Sequence, residues 1–116
     1  QVPRYSLHER RFVMAINGNG RPIIKTVFTF AQEGHLLWGS FQGDGFVLGQ
    51  MLGLYVDETQ IRLHLQWLCH DQAIHVGTLC GLVSDDKGRG LTLFLNWQDG
   101  TNPQEQGWAS FRELAT

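Results

Sequence analysis

The chain has 116 residues, of which 42% are apolar and 17% are charged, and its formal net charge is −2. This composition excludes a disordered chain, and no apolar run reaches the roughly 18 residues of a membrane-spanning helix. The nine Lys and Arg are spread along the chain, so the sequence carries no basic patch for a nucleic acid. We expect residues 1–116 to form one domain that binds neither nucleic acid nor membrane.

Cys69 and Cys80 are the only cysteines. Two cysteines do not make a disulfide framework, and they suit a reducing compartment. No basic segment followed by a hydrophobic stretch marks a signal peptide. We therefore expect a cytoplasmic protein.

The first half of the chain has the pattern of four strands after a lead-in. Residues 1–9 have no clear period, which predicts a loop or a short cover. The alternating and β-branched stretches that follow predict strands at residues 10–16, 23–31, 36–42 and 46–56. Among the turns between them, the Asn-Gly-Asn-Gly run at residues 17–20 is a strong hairpin signal.

The clearest strand of the second half covers residues 61–69. Its odd positions are apolar or a cysteine, and its even positions are Arg62, His64 and Gln66, followed by Leu68. Because side chains alternate across a strand, this stretch has one apolar and one polar face. Further strands are predicted at residues 74–84, 91–98 and 107–114.

The short turns make consecutive strands antiparallel neighbours. Eight such strands avoid an exposed edge most simply by closing. The sequence therefore predicts an all-β fold, an antiparallel up-and-down eight-stranded barrel with the architecture of lipocalins and avidins. A two-sheet β-sandwich is the alternative. Glycines inside the strands at positions 39, 49, 53, 77 and 81 fit sharply coiled barrel strands, or space left for a ligand.

A series of landmark residues runs between positions 7 and 114. It comprises Arg10, Arg11, Phe12, Val13, Asn17, Gly20, Thr26, Phe28, Phe30, Gln32, Gly34, Trp38, Phe41, Gly43, Gly49, Leu52, Gly53, Asp57, Arg62, Cys80 and Trp97. This series resembles a family of short, uncharacterised bacterial proteins, some of them labelled N-acetylglutamate synthases. Acetyl-CoA transferases of that kind need a helix N-terminus that holds the pyrophosphate, and this chain offers no such helix. The resemblance thus implies a compact β fold and carries over no catalytic residue.

The polar row is the first candidate site. If Arg62, His64 and Gln66 face the barrel lumen, they could hold a small polar or anionic ligand, with Arg62 as the fixed charge. Gln50 and Asn96 have the parity to join them, and Trp38 could add an aromatic wall. In the alternative interpretation the row is the solvated outer face of the sheet.

Two features favour an assembly of subunits. The stretches 46–56 and 74–84 are apolar on both faces, and large exposed apolar patches usually mark interfaces. We therefore expect a homodimer. The four tryptophans, Trp38, Trp67, Trp97 and Trp108, could line a pocket, fill the core or form a subunit contact.

The sequence predicts no catalytic residue, no metal site and no cofactor. His64, Cys69, His70, His75 and Cys80 cluster, but they lack the spacing of a known metal motif. A His64 pair with Glu113 or Asp44 could support acid–base chemistry, although nothing in the sequence brings them together. Because the sequence offers a candidate lumen site but no catalytic or metal motif, we expect a small-molecule-binding protein. A protein–protein interaction or regulatory module with an apolar outer face is the second hypothesis, and an enzyme is the third.

Overall fold

The computed structural model describes residues 2–17, 26–43 and 46–115. They form eight strands: β1 (Arg11–Asn17), β2 (Thr26–Glu33), β3 (Leu36–Gly43), β4 (Phe46–Tyr55), β5 (Gln60–Cys69), β6 (Ile74–Asp85), β7 (Leu91–Asp99) and β8 (Gln106–Glu113). Their bounds lie close to the predicted ones. The small differences are at the strand ends, because an alternating pattern locates a strand better than it locates its first and last residues. The predicted Asn-Gly turn and the predicted start of the second strand lie largely outside the described residues, as does the centre of the turn after β3.

Each strand pairs antiparallel with the next, and β8 pairs with β1 to close the barrel. The predicted all-β, up-and-down, eight-stranded barrel is confirmed, and the sandwich alternative is wrong. Among the eight described strands, closure leaves no edge strand whose amides and carbonyls lack a partner strand. The described residues contain no helix long and apolar enough to cross a membrane.

The barrel interior is filled by the apolar row of each strand. Aromatic rings occupy its middle, with Phe12 against Phe30 at 5.5 Å and Phe28 stacked on Phe41 at 4.9 Å between centroids. Gly49 is part of this packing, because a Cβ at that position would overlap the ring of Phe41. This glycine therefore makes room for a core side chain rather than for a ligand.

Residues 2–10 run across one end of the barrel, which we call the plugged end. Leu7 is fully buried there, and its amide donates to Gln32 Oε1 at 2.8 Å. The Tyr55 hydroxyl donates to the Tyr5 carbonyl at 2.7 Å, and burial raises the pKa of this hydroxyl above its usual range. Glu113 accepts from Arg10 Nη1 at 2.8 Å. The predicted lead-in thus covers the barrel interior at the plugged end.

We call the opposite end the loop end. Among the described residues it carries the β5–β6 turn, residues 70–73, and the β7–β8 loop, residues 100–105. The inward side chains just below these loops are Trp67, Cys69, His75 and Trp97, and all of them are half-buried rather than sealed. The two ends therefore differ in their access to solvent.

Candidate functional site

The polar row of β5 points away from the interior. Residues 61, 63 and 65 are buried, whereas Arg62, His64 and Gln66 between them are exposed. Gln50, Asn96 and Trp38 are exposed on the same outer face. The prediction that these six residues line the lumen is wrong, because closure buries the apolar row of each strand and leaves the polar row in water. Whether they bind a ligand from outside stays a prediction.

On the outer face the six residues form two groups. Four of them, with Leu52, border a depression of about 520 Å³ that is open to solvent: Trp38, Gln50, His64 and Gln66. Register explains this group, since Gln50 pairs with Gln66 across β4 and β5. Arg62 and Asn96 border a separate depression of about 230 Å³. The predicted charged anchor is therefore apart from the predicted aromatic wall.

Near the loop end the interior holds a cavity of about 240 Å³ that is open to solvent. Trp67 of β5 and Trp97 of β7 border it, and both pack against the core. Leu65 and Leu79 complete its apolar wall. Gly77 also borders the cavity, and a Cβ there would lie 3.4 Å from the Trp67 ring. The site is thus an aromatic-walled recess, which is the common form of a small-molecule pocket.

Three polar residues border this recess, Thr78, Gln98 and Asp99, and His75 lies behind the Trp67 ring. His75 lies opposite Trp67 in the β5–β6 register, and the rings stack at 5.7 Å with 14° between their planes. Asp99 borders the cavity and accepts hydrogen bonds from the Thr101 hydroxyl and from the Thr101 and Asn102 amides. These bonds, with a smaller contribution from His75, lower the pKa of Asp99. The rim therefore carries a carboxylate at neutral pH.

The β5–β6 turn brings three further groups together. In this turn the Gln72 amide donates to the Cys69 carbonyl at 3.0 Å, and the φ angle of Gln72 is 67°. Since Cys69 and Ala73 are hydrogen-bonded, this is the geometry of a three-residue hairpin loop, residues 70–72, with one left-handed residue. The Cys69 sulfur, an Asp71 carboxylate oxygen and a His75 ring nitrogen consequently lie within 4.8 Å of one another.

Sequence reasoning missed Asp71 and Asp99 as site residues, and it named His75 only in a cluster without the spacing of a metal motif. A signal existed for His75, because pairing β5 and β6 through a short turn places it opposite Trp67. Asp71 and Asp99 lie in turns, where the sequence predicts polarity but not direction.

The structure also separates the groups of the proposed acid–base pair. His64 is exposed on the outer face of β5, whereas Glu113 binds Arg10 and the Leu91 amide at the plugged end. His64 and Glu113 therefore do not form a pair. Asp44 lies outside the described residues.

Comparison with protein-family models matches residues 5–114 to the avidin-like proteins. Neither the search of curated proteins nor the search of solved structures found a match. The match covers every described strand, so it concerns the whole barrel. The resemblance to bacterial proteins labelled N-acetylglutamate synthases stays a prediction.

Proposed function

The chain belongs to the avidin-like protein family, and we propose that it binds a small molecule in the barrel interior beside Trp67 and Trp97. The observation that carries this proposal is the solvent-open cavity of about 240 Å³ that these rings border, near the end of the barrel that the N-terminal segment does not cover. A preformed recess costs little ordering when a ligand enters it.

The lining indicates the chemistry of the ligand. The tryptophans and leucines make one part of the wall apolar and aromatic, and the polar part consists of Thr78, Gln98 and Asp99. The buried polar side-chain atoms of the described residues all have hydrogen-bond partners. A ligand would therefore gain most from a flat apolar body, with a hydrogen-bond donor directed at the Asp99 carboxylate. The expected anionic ligand loses its basis, since Arg62 is on the outer face.

The proposal is tested with indole, a small planar molecule with one N–H donor. Binding to the full chain is measured by saturation-transfer NMR and by the thermal-unfolding midpoint. Trp67→Ala and Trp97→Ala should each weaken binding by about 10-fold or more, because each removes one aromatic wall.

The chain supplies matched controls on its outer face. Trp38 and Trp108 are each 40% exposed there, so Trp38→Ala and Trp108→Ala should leave indole binding unchanged. Equal losses in inner and outer variants, or no loss in either, would contradict a site in the lumen.

A second proposal concerns assembly: we infer that two copies of the chain associate through the outer face of β3 and β4. Leu36 pairs with Leu54 and Trp38 with Leu52 across these strands, and Leu52 is 67% exposed. Such a contiguous apolar patch is unusual on a monomer. The symmetric pairing of one patch with itself gives a two-fold dimer.

Size-exclusion chromatography with light scattering tests this assembly. The native chain should have the mass of a dimer, and Leu52→Lys should convert it to a monomer, because it places a charge in the apolar contact. Val2→Lys is the control, since Val2 is 81% exposed and lies outside the patch. A native monomer would favour an interaction with a different protein on this face.

A further inference from the structure

We propose that Cys69, Asp71 and His75 form a binding site for one divalent transition-metal ion of the Zn²⁺ class, at the loop end of the barrel. The proposal goes beyond ligand binding in the lumen and does not depend on it. It rests on the convergence of a sulfur, a carboxylate oxygen and an imidazole nitrogen within 4.8 Å.

The donor set matches the chemistry of zinc. Thiolate, imidazole and carboxylate are its usual protein ligands, and their bonds of about 2.0–2.3 Å put neighbouring donors of a tetrahedral site roughly 3.5 Å apart. The present separations of at most 4.8 Å need a closure of about 1 Å, which side-chain rotation supplies. A mixed set with sulfur and nitrogen also disfavours Mg²⁺ and Ca²⁺, which prefer oxygen ligands.

The hairpin holds the donors in place before any ion binds. The Cys69 amide donates to the Ala73 carbonyl at 3.1 Å, so both strands are paired up to the turn. Asp71 Oδ1 accepts from the Ala73 amide at 2.9 Å, which orients the carboxylate and leaves Oδ2 for an ion. Stacking of Trp67 on His75 covers a face of the imidazole. Metal ions bind a ring nitrogen in the ring plane, so this stacking does not compete with coordination.

The surroundings favour a cation that exchanges with solvent. Cys69 and His75 are half-buried and Asp71 is exposed, so an ion can reach all three. Asp99 adds negative charge near His75, but it is not among the three groups whose ligand atoms lie within 4.8 Å of one another. Three protein ligands leave one position of a tetrahedral ion open, as in catalytic rather than structural zinc sites.

Co²⁺ titration of the full chain, produced without an affinity tag, tests the proposal. The expected result is one Co²⁺ per chain, with a thiolate-to-cobalt charge-transfer band in the near ultraviolet and the intense visible bands of a four-coordinate ion. Zn²⁺ added afterwards should abolish these bands and raise the unfolding midpoint.

Variants assign the ligands. Cys69→Ser should remove the charge-transfer band, and Asp71→Asn and His75→Gln should keep it at saturating Co²⁺ but weaken binding by about 10- to 100-fold or more. Cys80→Ser and His64→Gln are matched controls on the outer face and should change neither affinity nor spectrum. Circular dichroism of each apo variant verifies the fold.

Two outcomes would overturn the proposal. One is the absence of a charge-transfer band in the native chain at saturating Co²⁺. The other is a band that persists in Cys69→Ser and disappears in Cys80→Ser, which would place the thiolate on the outer face.

Discussion

The plugged end and the loop end are built from the same antiparallel hairpins, yet their inward side chains are used differently. At the plugged end Leu7 is sealed, and the Tyr55 hydroxyl and the Glu113 carboxylate bind groups of the same chain. At the loop end Trp67 and Trp97 border a cavity. A barrel with one end closed by its own N-terminal segment can leave binding groups accessible at the other. We therefore expect substitutions at the plugged end to affect mainly stability, and substitutions at the loop end to affect mainly binding.

The largest expected effect is at the plug. Leu7→Ala should lower the free energy of unfolding by about 2 to 5 kcal/mol, because it leaves a cavity in a fully buried position. Urea denaturation measures the loss. Val2→Ala, in the same segment but 81% exposed, should change stability little. If Leu7→Ala weakens indole binding as strongly as Trp97→Ala does in conditions where the chain stays folded, the two ends are not independent.

A smaller loss is expected at the hydroxyl that ties the plug to β4. Tyr55→Phe should cost about 1 to 3 kcal/mol, because the part-buried Tyr5 carbonyl loses its donor. Tyr5→Phe is the matched control, since the structure records no hydrogen bond from that hydroxyl to the described residues. Equal stabilities of the two variants in chemical denaturation would mean that the Tyr55 bond does not hold the plug.

The smallest effect concerns pH and the β4–β5 turn. The Thr59 and Gln60 amides donate to Asp57 Oδ1 at 2.9 and 2.8 Å and lower the pKa of this carboxyl. A lowered pKa in the folded state gives stability that is complete above the unfolded value of about 3.9 and is lost as pH falls through the folded value. Asp57→Asn should therefore be slightly less stable than the native chain at neutral pH.

This difference should vanish at the lowest pH, where the native Asp57 is also uncharged. Unfolding curves from neutral pH to about pH 2 follow it. Asp86→Asn, on the neighbouring turn at the same end, is the control, because its carboxylate accepts no hydrogen bond in the described part of the chain. A difference between Asp57→Asn and the native chain that is constant over the whole range would exclude the charge as its cause.

The strands could be predicted because apolar and polar residues alternate within the segments that form them. Residues 61–69 alternate so regularly that the strand and its two faces follow from the sequence. The number of strands and their short turns then favour a closed barrel, which the structure confirms. The candidate ligand residues could not be predicted in the same way. Arg62, His64 and Gln66 share a face, as expected, but that face is the outer one.

The spacing of Cys69, Asp71 and His75 along the sequence likewise did not predict that their side chains lie together. It requires that Trp67 and His75 lie opposite each other and that Gln72 adopts a left-handed conformation, which lets the loop close between Cys69 and Ala73. The pattern of one strand specifies neither of these. Its register depends on the partner strand, and the conformation of a turn depends on both strands that the turn joins.

The sequence by itself determined which residues share a face, because side-chain direction along a strand is a local property with period two. Only the tertiary structure decided which face is inside, since the direction in which a sheet curves depends on all eight strands closing together. That closure put Trp67 and Trp97 in the interior and the charged row in solvent, since a small closed space favours burial of apolar side chains over desolvation of charged ones.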